Sequence, residues 1–467
     1  MKLYNTLSRQ IEELQPLKPP TVGVYTCGPT VYDYAHVGHW FTYIRTDILI
    51  RALKANQLQP KWIVNITDVG HLVSDADEGE DKLEKGAKRE GKTAWEVADF
   101  YTKDFMECME LLNITHPTEM PKATDHIAEQ IELLKKLEAK GFTYQIDDGI
   151  YYDTSKFPKY ADFARLDLDE QQAGVRVAYN PQKRNAQDFA LWKFSSKGPK
   201  RDMVWESPWG KGFPGWHIEC SAMSMKYLGE TLDVHTGGID HVPVHHANEI
   251  AQSEAVTGKR FANHWLHTNH VLVDGQKISK SLGNGIRLQD VIKDGISVDA
   301  FRLHVLESHY RSQSKFSMES LKAAQNRLND FRALAALRWQ PIAQTTETGL
   351  ASINSTASKI TDCLSDDLNT PQIVTLLSEI SNRLQTSLIS QNEIDPFIAM
   401  LENIDQQLGL HLSQEHDISK EQKLKIQSRE QARKAENWQL SDEIRDQLLS
   451  EGVGLRDTPH GTIWFPV

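Results

Sequence analysis

A short apolar run at residues 22–26 is followed by a His-Val-Gly-His segment at residues 36–39. The apolar run predicts a buried strand, and the pattern from His36 to Lys54 predicts a helix. Residues 61–66 predict a second strand. A strand, a helix and a strand at this spacing favour a right-handed parallel crossover. The chain is therefore constrained to an α/β fold of Rossmann type, in which ligands bind at the carboxyl ends of the strands.

The histidine segment is suited to bind phosphate. A helix N-terminus presents unbonded backbone amides and the positive end of the helix dipole. His36 and His39 lie one turn apart, so both rings can donate hydrogen bonds to phosphate oxygens. Gly38 removes a side chain where a ligand would approach the backbone. Taken alone, the segment is more often simply two surface histidines at the start of a helix.

A second segment, Lys-Ile-Ser-Lys-Ser at residues 277–281, follows another apolar run at residues 271–273. Lys277 and Lys280 can neutralise charge that develops on a transferring phosphate. By itself this segment is also compatible with a solvated basic loop. The two segments together, in this order, predict an enzyme that activates a carboxylate with ATP.

Four residues suggest a metal site. His245 and Glu249 are four apart on a predicted helix and so share one face. Cys27 lies just before the first phosphate segment, and Cys220 lies much later in the chain. Two thiolates, an imidazole and a carboxylate can complete a tetrahedral zinc site. The chain has no paired-cysteine spacing, so isolated buried cysteines remain the alternative at this point.

Bulk properties narrow the class of protein. A chain of 467 residues is too long for one compact core, so several domains are expected. The absence of long apolar runs and of an apolar signal core predicts a cytoplasmic protein without a membrane span. Four cysteines do not make a disulfide framework. A net charge of -12 argues against non-specific binding to polyanions, although a local basic patch can still bind nucleic acid.

The chain also carries a series of specific segments that together resemble the cysteinyl-tRNA synthetases, a class I aminoacyl-tRNA synthetase family. The resemblance covers nearly the whole chain. The segments that carry it are residues 27–39, 65–68, 188–193, 207–223, 235–240, 245–252, 277–284, 366–371 and 445–464. The sequence departs from the family pattern at Phe41, where an arginine is usual, and in the longer acidic stretch after Asp68.

The resemblance implies a role for each matching residue. One zinc ion would be ligated by Cys27, Cys220, His245 and Glu249. ATP, accompanied by Mg²⁺, would be bound and activated by His36, His39, Lys277 and Lys280. The cysteine substrate would be surrounded by Gly28, Thr67, Trp216, His235 and Asp240, with Asp240 as the partner of its ammonium group.

The implied architecture is an α/β, Rossmann-like parallel-sheet catalytic domain with an insertion, followed by a helical bundle and a small C-terminal anticodon-binding module. The expected boundaries are 1–110 for the first half of the catalytic domain, 111–200 for the connective insertion, 201–275 for the second half with the zinc site, 276–318 for the phosphate loop and stem, 319–410 for the bundle and 411–467 for the module. Within the module, the basic stretch at residues 420–434 is expected to contact tRNA phosphates. Trp438 and Trp464 are candidates to stack on anticodon bases.

The implied activity is ATP-dependent conversion of L-cysteine to cysteinyl-adenylate and transfer of cysteine to the 3′ end of cysteine tRNA, by a monomer. Zinc would distinguish the cysteine thiolate from a serine hydroxyl. One alternative is a cysteine ligase with an amino-sugar acceptor, which would not need the helical region after residue 319. A second alternative is a catalytically inactive tRNA-binding protein. The intact phosphate segments and the intact ligand set argue against it.

Overall fold

The computed structural model describes residues 1–70, 81–164, 180–195, 201–278, 283–342, 347–458 and 460–467. Its strands are β1 Lys2–Asn5, β2 Gln10–Glu13, β3 Thr21–Thr26, β4 Gln59–Val64, β5 Thr143–Ile146, β6 Gly149–Tyr152, β7 Phe189–Phe194, β8 Gly212–Pro214, β9 Leu232–Gly238, β10 Ala262–Thr268, β11 Val271–Val273, β12 Gln276–Lys277, β13 Ser314–Phe316, β14 Val453–Thr458 and β15 Gly461–Pro466. Its α-helices, numbered over the described residues, are α1 Val37–Ala55, α2 Lys82–Glu90, α3 Ala94–Leu111, α4 Ile127–Ala139, α5 Trp216–Leu228, α6 Ala247–Thr257, α7 Leu288–Lys293, α8 Val298–Leu306, α9 Met318–Ala336, α10 Glu347–Ser365, α11 Thr370–Ser387, α12 Ile394–Leu408, α13 Lys420–Lys434 and α14 Trp438–Ser450.

A parallel sheet with the order β10–β9–β3–β4 forms the centre of the catalytic region. Val24 in β3 is paired with Trp62 on one side and with Val234 on the other, and all three side chains are buried. The chain leaves β3 toward β4 through α1, and leaves β9 toward β10 through α6. The strand order therefore reverses between β3 and β9, the point where ligands bind in open α/β sheets. The predicted Rossmann-like α/β fold is confirmed.

Helix α1 begins at Val37, directly after the histidine that the sequence places at its start. Most of its length is buried, from Trp40 to Leu53, because it packs between the sheet and the helices that follow. An apolar helix in such a position is fixed by packing on several sides. Its N-terminus is therefore held rigidly at the carboxyl edge of the sheet.

An antiparallel sheet with the order β5–β6–β7–β8 lies within the region between β4 and β9. Its last strand pairs Trp192 with Pro214, so the sheet extends past residue 200, the expected end of the insertion. The chain continues from β8 directly into α5, which carries Cys220. The insertion is thus connected to the catalytic site through a short strand and a helix.

A small sheet joins the catalytic region to the helices after it. Strand β11 pairs antiparallel with β12 and parallel with β13. Lys277 lies at the end of β12, opposite Leu272. Helices α9 to α12 then pack together as the bundle. Within the described residues, none of the helices has the length and apolarity that a membrane crossing needs.

The C-terminal module consists of α13, α14 and the hairpin β14–β15, and its small core also includes Ala336 of the bundle helix α9. Trp464 lies in that core at 5% exposure, with its ring 5.8 Å from Trp339 of the bundle. The prediction that Trp464 is available to stack on bases is therefore wrong. Trp438 is 56% exposed and remains available. In the basic stretch, Arg429 is buried and forms an ion pair with Asp457, so its charge is neutralised within the module.

Candidate active site

The carboxyl edge of the parallel sheet opens into a cleft of about 920 Å³. Its walls include ten of the residues that the sequence singled out. These are Cys27, Gly28, His36, His39, Thr67, Trp216, Cys220, Asp240, His245 and Lys277. His235 and Glu249 are fully buried behind the wall, and Lys280 lies outside the described residues. The first histidine segment, Lys277 and the cysteine–histidine cluster are thus brought into one cavity.

Two thiols, one imidazole and one carboxylate meet at the inner end of the cleft. The ligand atoms of Cys27, Cys220, His245 and Glu249 all lie within 4.8 Å of one another, and all four side chains are buried. Both cysteines are free thiols. Cys27 follows the end of β3, Cys220 lies on α5, and the other two lie on and just before α6. Three separate elements therefore converge on one point.

Charge in this cluster is concentrated on Glu249. His235 Nε2 lies 2.7 Å from Glu249 Oε2, and His245 Nε2 lies 3.0 Å from Oε1. Burial would raise the pKa of this carboxyl group, but the two imidazoles hold it below its usual range. Burial would lower the pKa of His245, but Glu249 and Cys220 raise it to about 10. The cluster therefore attracts positive charge at its centre.

The two thiols differ in their acidity. Burial, followed by the hydrogen bond with Cys220, raises the pKa of Cys27. The same hydrogen bond lowers the pKa of Cys220 to about 7, against the effect of burial. The hydrogen bond between the two thiols therefore favours ionisation of Cys220, and the thiolate is the form that binds a soft metal.

Further histidines surround the cluster, and sequence reasoning did not assign them a role. His246 Nε2 lies 3.3 Å from Cys27 Sγ, and His246 Nδ1 lies 2.7 Å from His267 Nε2. His217 Nδ1 lies 2.9 Å from His245 Nδ1. The adjacency of His245 and His246 was a visible signal, but nothing in the spacing indicated that His267 on β10 would reach the site.

A second set of possible ligands overlaps the first. Cys27, His235, His246 and Glu249 also bring their ligand atoms within 4.8 Å of one another. His235 and His246 do not line the cleft, whereas Cys27, Cys220 and His245 do. Only the predicted set, with Cys220 and His245, would place a metal where a substrate could reach it.

The floor beside the thiols depends on a glycine. The Gly28 backbone N–H donates to Asn65 Oδ1 at 2.8 Å, and a Cβ atom at Gly28 would lie only 1.4 Å from the backbone oxygen of Asn65. Asn65 Nδ2 in turn donates to Thr67 Oγ1 at 3.0 Å, which donates to Glu219 Oε2 at 3.1 Å. Burial, together with the charge of Asp68, raises the pKa of Glu219 well above its usual value. No side chain can replace the hydrogen at position 28 without displacing this network.

The outer end of the cleft contains the predicted phosphate residues. The rings of His36 and His39 stack with their centroids 3.8 Å apart at the N-terminus of α1. The backbone N–H of His36 donates to His39 Nδ1 at 3.1 Å, which places the proton of a neutral His39 ring on Nε2. A Cβ atom at Gly38 would lie 2.9 Å from the side chain of Ile278. The first histidine segment therefore lies directly against Ile278, the residue that follows β12.

Comparisons with known proteins agree with this geometry. The family described as tRNA synthetases class I (C) catalytic domain matches residues 13–326. The cysteine–tRNA ligase of Treponema denticola is 43% identical over 99% of this chain and 99% of its own length. The cysteine–tRNA ligase 1 of Burkholderia lata is 43% identical over 100% of this chain and 97% of its own length.

Among solved structures, the methionyl-tRNA synthetase of Mycobacterium tuberculosis in complex with methionyl-adenylate has a similar fold, with a TM-score of 0.61 and 14% identity. The match covers 84% of this chain and 92% of that chain. A parallel sheet, the histidine segment and Lys277 in the cleft at its carboxyl edge, and the matching family domain define a class I tRNA synthetase. Within that class, the chain belongs to the cysteine–tRNA ligase family.

Proposed function

We propose that this enzyme activates L-cysteine with ATP to form cysteinyl-adenylate and then transfers cysteine to the 3′ end of cysteine tRNA, acting as a monomer. The observation that supports this most directly is the buried cysteine–histidine–glutamate cluster at the inner end of the cleft. The same cleft contains the histidine pair of α1 and Lys277 at its other end. A thiol-bearing amino acid and a nucleotide triphosphate can therefore meet in one cavity.

The donor set at the inner end fits zinc. Thiolate, imidazole and carboxylate are the ligands that zinc binds in proteins. His245 Nε2 lies 3.0 Å from a Glu249 oxygen, yet it makes no hydrogen bond of acceptable geometry among the described residues. Cys27, Cys220, His245 and Glu249 would hold the ion. Bound zinc would favour the substrate sulfur as a thiolate over the hydroxyl of serine, because zinc lowers the pKa of a thiol much more effectively than it ionises an alcohol.

Residues around the cluster would orient the amino acid. The exposed carboxylate of Asp240 lies on the cleft wall and can receive the substrate ammonium group. Gly28 and Thr67 would form the floor, and the Trp216 ring, 4.8 Å from that of His245, would cover the substrate side chain. His235 does not reach the cleft, so its part would be to hold Glu249 in place through their 2.7 Å contact.

The outer end would bind ATP, with Mg²⁺ accompanying the phosphates. His36, His39 and the amides at the start of α1 would hold phosphate oxygens, and Lys277 and Lys280 would neutralise the charge on departing pyrophosphate. The substrate carboxylate attacks the α-phosphorus of ATP, and pyrophosphate leaves. The bundle and the C-terminal module would position the tRNA, with the anticodon loop at the module.

Two coupled assays test the proposal. Purified protein is first assayed for exchange between pyrophosphate and ATP with cysteine or serine present, and then for transfer of labelled cysteine to a cysteine tRNA transcript. We expect exchange with cysteine, at least about 100-fold weaker exchange with serine, and transfer to the tRNA. Cysteine transfer to an amino sugar but not to tRNA, or binding of tRNA without any exchange, would refute the proposed function.

A further inference from the structure

Helix α2 presents a row of cations to the cleft. Lys82, Lys85 and Arg89 lie at spacings of three and four residues, on one face of the helix, and all three line the cavity. On the opposite face, Leu83 and Ala87 are buried against the protein. The orientation of α2 is therefore set by its apolar face, and its basic face is directed at the cleft as a consequence.

The position of α2 is fixed at its N-terminus. Asp81 caps the helix by accepting a hydrogen bond of 2.9 Å from the backbone N–H of Glu84. Arg201, nearly buried, forms an ion pair with Asp81. The backbone N–H of Asp202 donates to Glu84 Oε1 at 2.7 Å. A helix anchored in this way fixes the backbone positions of its cationic residues before any ligand arrives, which reduces the entropy lost on binding.

Ion pairs among the described residues account for only part of this charge. Lys85 is exposed and forms no ion pair within the described residues. Arg89 is 49% exposed at its side chain and is shared between Asp33 at 3.4 Å and Glu90 at 3.0 Å. Lys82 Nζ lies 4.7 Å from the ring centre of Trp216, near the inner end of the cleft. In a chain with a net charge of -12, such a local basic face indicates an anionic ligand.

The triphosphate of ATP does not account for these cations. In the proposed function it is held by the start of α1 and by Lys277, at the outer end of the cleft. The row on α2 instead begins beside Trp216, next to the proposed amino-acid site. Transfer of cysteine requires the last ribose of the tRNA to reach the activated carboxyl carbon there. The phosphates that precede this ribose must then enter the cleft as single-stranded backbone.

We propose that the basic face of α2 binds the backbone phosphates of the 3′-terminal single-stranded nucleotides of the tRNA and directs them to the activated amino acid. This inference rests on the proposed function, because it concerns the second substrate of the same site. A fixed row of lysine and arginine side chains along a groove is the usual means of holding single-stranded nucleic acid without reading its sequence.

The test compares Lys85→Gln with Lys88→Gln. Both remove one lysine from the same helix, but Lys88 is exposed and does not line the cleft. Affinity is measured directly, between 0.05 and 0.3 M salt by design, for full-length tRNA transcript and for the same transcript shortened by its last three nucleotides. Loss of one phosphate contact predicts about fivefold weaker binding near 0.15 M salt. It also predicts that the slope of the logarithm of affinity against the logarithm of salt concentration falls in magnitude by about one.

We expect this loss in Lys85→Gln with the full-length tRNA, no such loss with the shortened tRNA, and no such loss in Lys88→Gln. Equal affinities of the two variants for full-length tRNA would overturn the inference. The inference would also be overturned if Lys85→Gln raised the Michaelis constant for ATP in pyrophosphate exchange by as large a factor as it weakened tRNA binding. Lys85 would then bind the triphosphate of ATP. Absence of exchange in the unaltered enzyme would instead refute the proposed function, and the binding comparison would still decide the role of α2.

Discussion

The carboxylate of Asp367 accepts a hydrogen bond of 2.5 Å from the hydroxyl of Tyr310. It also accepts a hydrogen bond of 2.7 Å from Arg311 Nε and one of 2.8 Å from the backbone N–H of Tyr4. Asp367 and the next residue, Leu368, both have positive φ angles, 57° and 53°, although neither is glycine. Such a backbone costs on the order of 1 kcal/mol per residue, so the contacts of the carboxylate must hold it. This loop of the helical bundle is thereby attached to the segment that leads into β13.

We expect Asp367→Asn to lower the free energy of unfolding by about 2 kcal/mol, because it removes the charge that strengthens one buried and two partly buried hydrogen bonds. Asp366→Asn is the matched control, since Asp366 is adjacent and exposed. The measurement is urea-induced unfolding followed by circular dichroism. Equal unfolding midpoints for the two variants would show that the carboxylate of Asp367 does not hold the loop.

Removal of a proposed zinc ligand should be visible without any activity assay. Elemental analysis of freshly purified protein should give about one zinc per chain. Cys220→Ser should contain much less, because a serine hydroxyl is a poor ligand compared with a thiolate. Cys363→Ser, which changes a cysteine away from the cluster, should keep its zinc. Full zinc content in Cys220→Ser would exclude Cys220 as a ligand.

The two lysines of the second phosphate segment should act mainly on the rate of adenylate formation. Lys280→Ala and Lys277→Ala should each lower the maximal rate of cysteine-dependent pyrophosphate exchange by roughly 10² to 10³, as is typical when one stabilising charge is lost. Lys315→Ala removes an exposed lysine of the neighbouring strand β13 that is not on the cleft wall, and it should have little effect. If Lys280→Ala raised only the Michaelis constant for cysteine, Lys280 would not be the residue that neutralises charge on the departing pyrophosphate.

A histidine between the bundle and the stem should make stability depend on pH. His411 Nδ1 lies 2.9 Å from Asp299 Oδ1, and this hydrogen bond, supported by Asp405 and opposed by burial and Arg302, raises the pKa of the histidine. Because the folded pKa is higher than the unfolded value of about 6.5, the stabilisation is complete below that pH and is lost as the pH rises through the folded pKa.

The expected result is a fall in the urea midpoint of the unaltered protein between about pH 6 and pH 8 that is smaller in His411→Asn. Asparagine is the replacement of choice because the φ angle at this position is 57°, which asparagine tolerates. Identical pH dependence in the two proteins would mean that the ion pair with Asp299 does not contribute.

The parallel sheet could be predicted because its signals are local, whereas the full cluster of Cys27, Cys220, His245 and Glu249 was predicted from the family resemblance. Strand β3 and helix α1 follow from an apolar run and a helical pattern, and His245 and Glu249 are related by one helical turn. The full set of contacts of His246 could not be predicted in this way. His245 and His246 lie four and three residues before Glu249, so both lie near its carboxylate, at 3.0 and 4.0 Å. The contacts of His246 with Cys27, at 3.3 Å, and with His267, at 2.7 Å, join residues that are far apart in the chain.

Packing between segments that are far apart in the chain could not be predicted from the sequence either. Strand β8 has three residues, too few for an alternating pattern to predict it, and it exists because it pairs with β7. Trp464 belongs to a hairpin, where successive side chains point to opposite faces. Whether its face meets solvent or the bundle is decided by Trp339, which is far away in the chain.

The contrast between the two tryptophans of the C-terminal module gives the last prediction. Trp438 is exposed, and the Arg433 guanidinium lies 5.6 Å from its ring centre, so an aromatic surface and a positive charge are presented together. Stacking of one base on such a ring contributes about 1–3 kcal/mol. Trp438→Ala should therefore raise the Michaelis constant for tRNA in charging by about 5- to 150-fold, with little effect on cysteine-dependent pyrophosphate exchange.

Trp464→Ala should behave differently, because Trp464 is buried and its backbone N–H donates to Gln340 Oε1 at 2.7 Å. Removing a buried tryptophan costs about 3–5 kcal/mol, so this variant should lower the thermal unfolding temperature of the module. Leu424→Ala, which changes a 61% exposed apolar residue on α13, serves as the control for both effects. If Trp438→Ala charges tRNA as well as the Leu424→Ala control does, Trp438 does not contact the nucleic acid. The anticodon loop must then be read by other residues, or lie elsewhere.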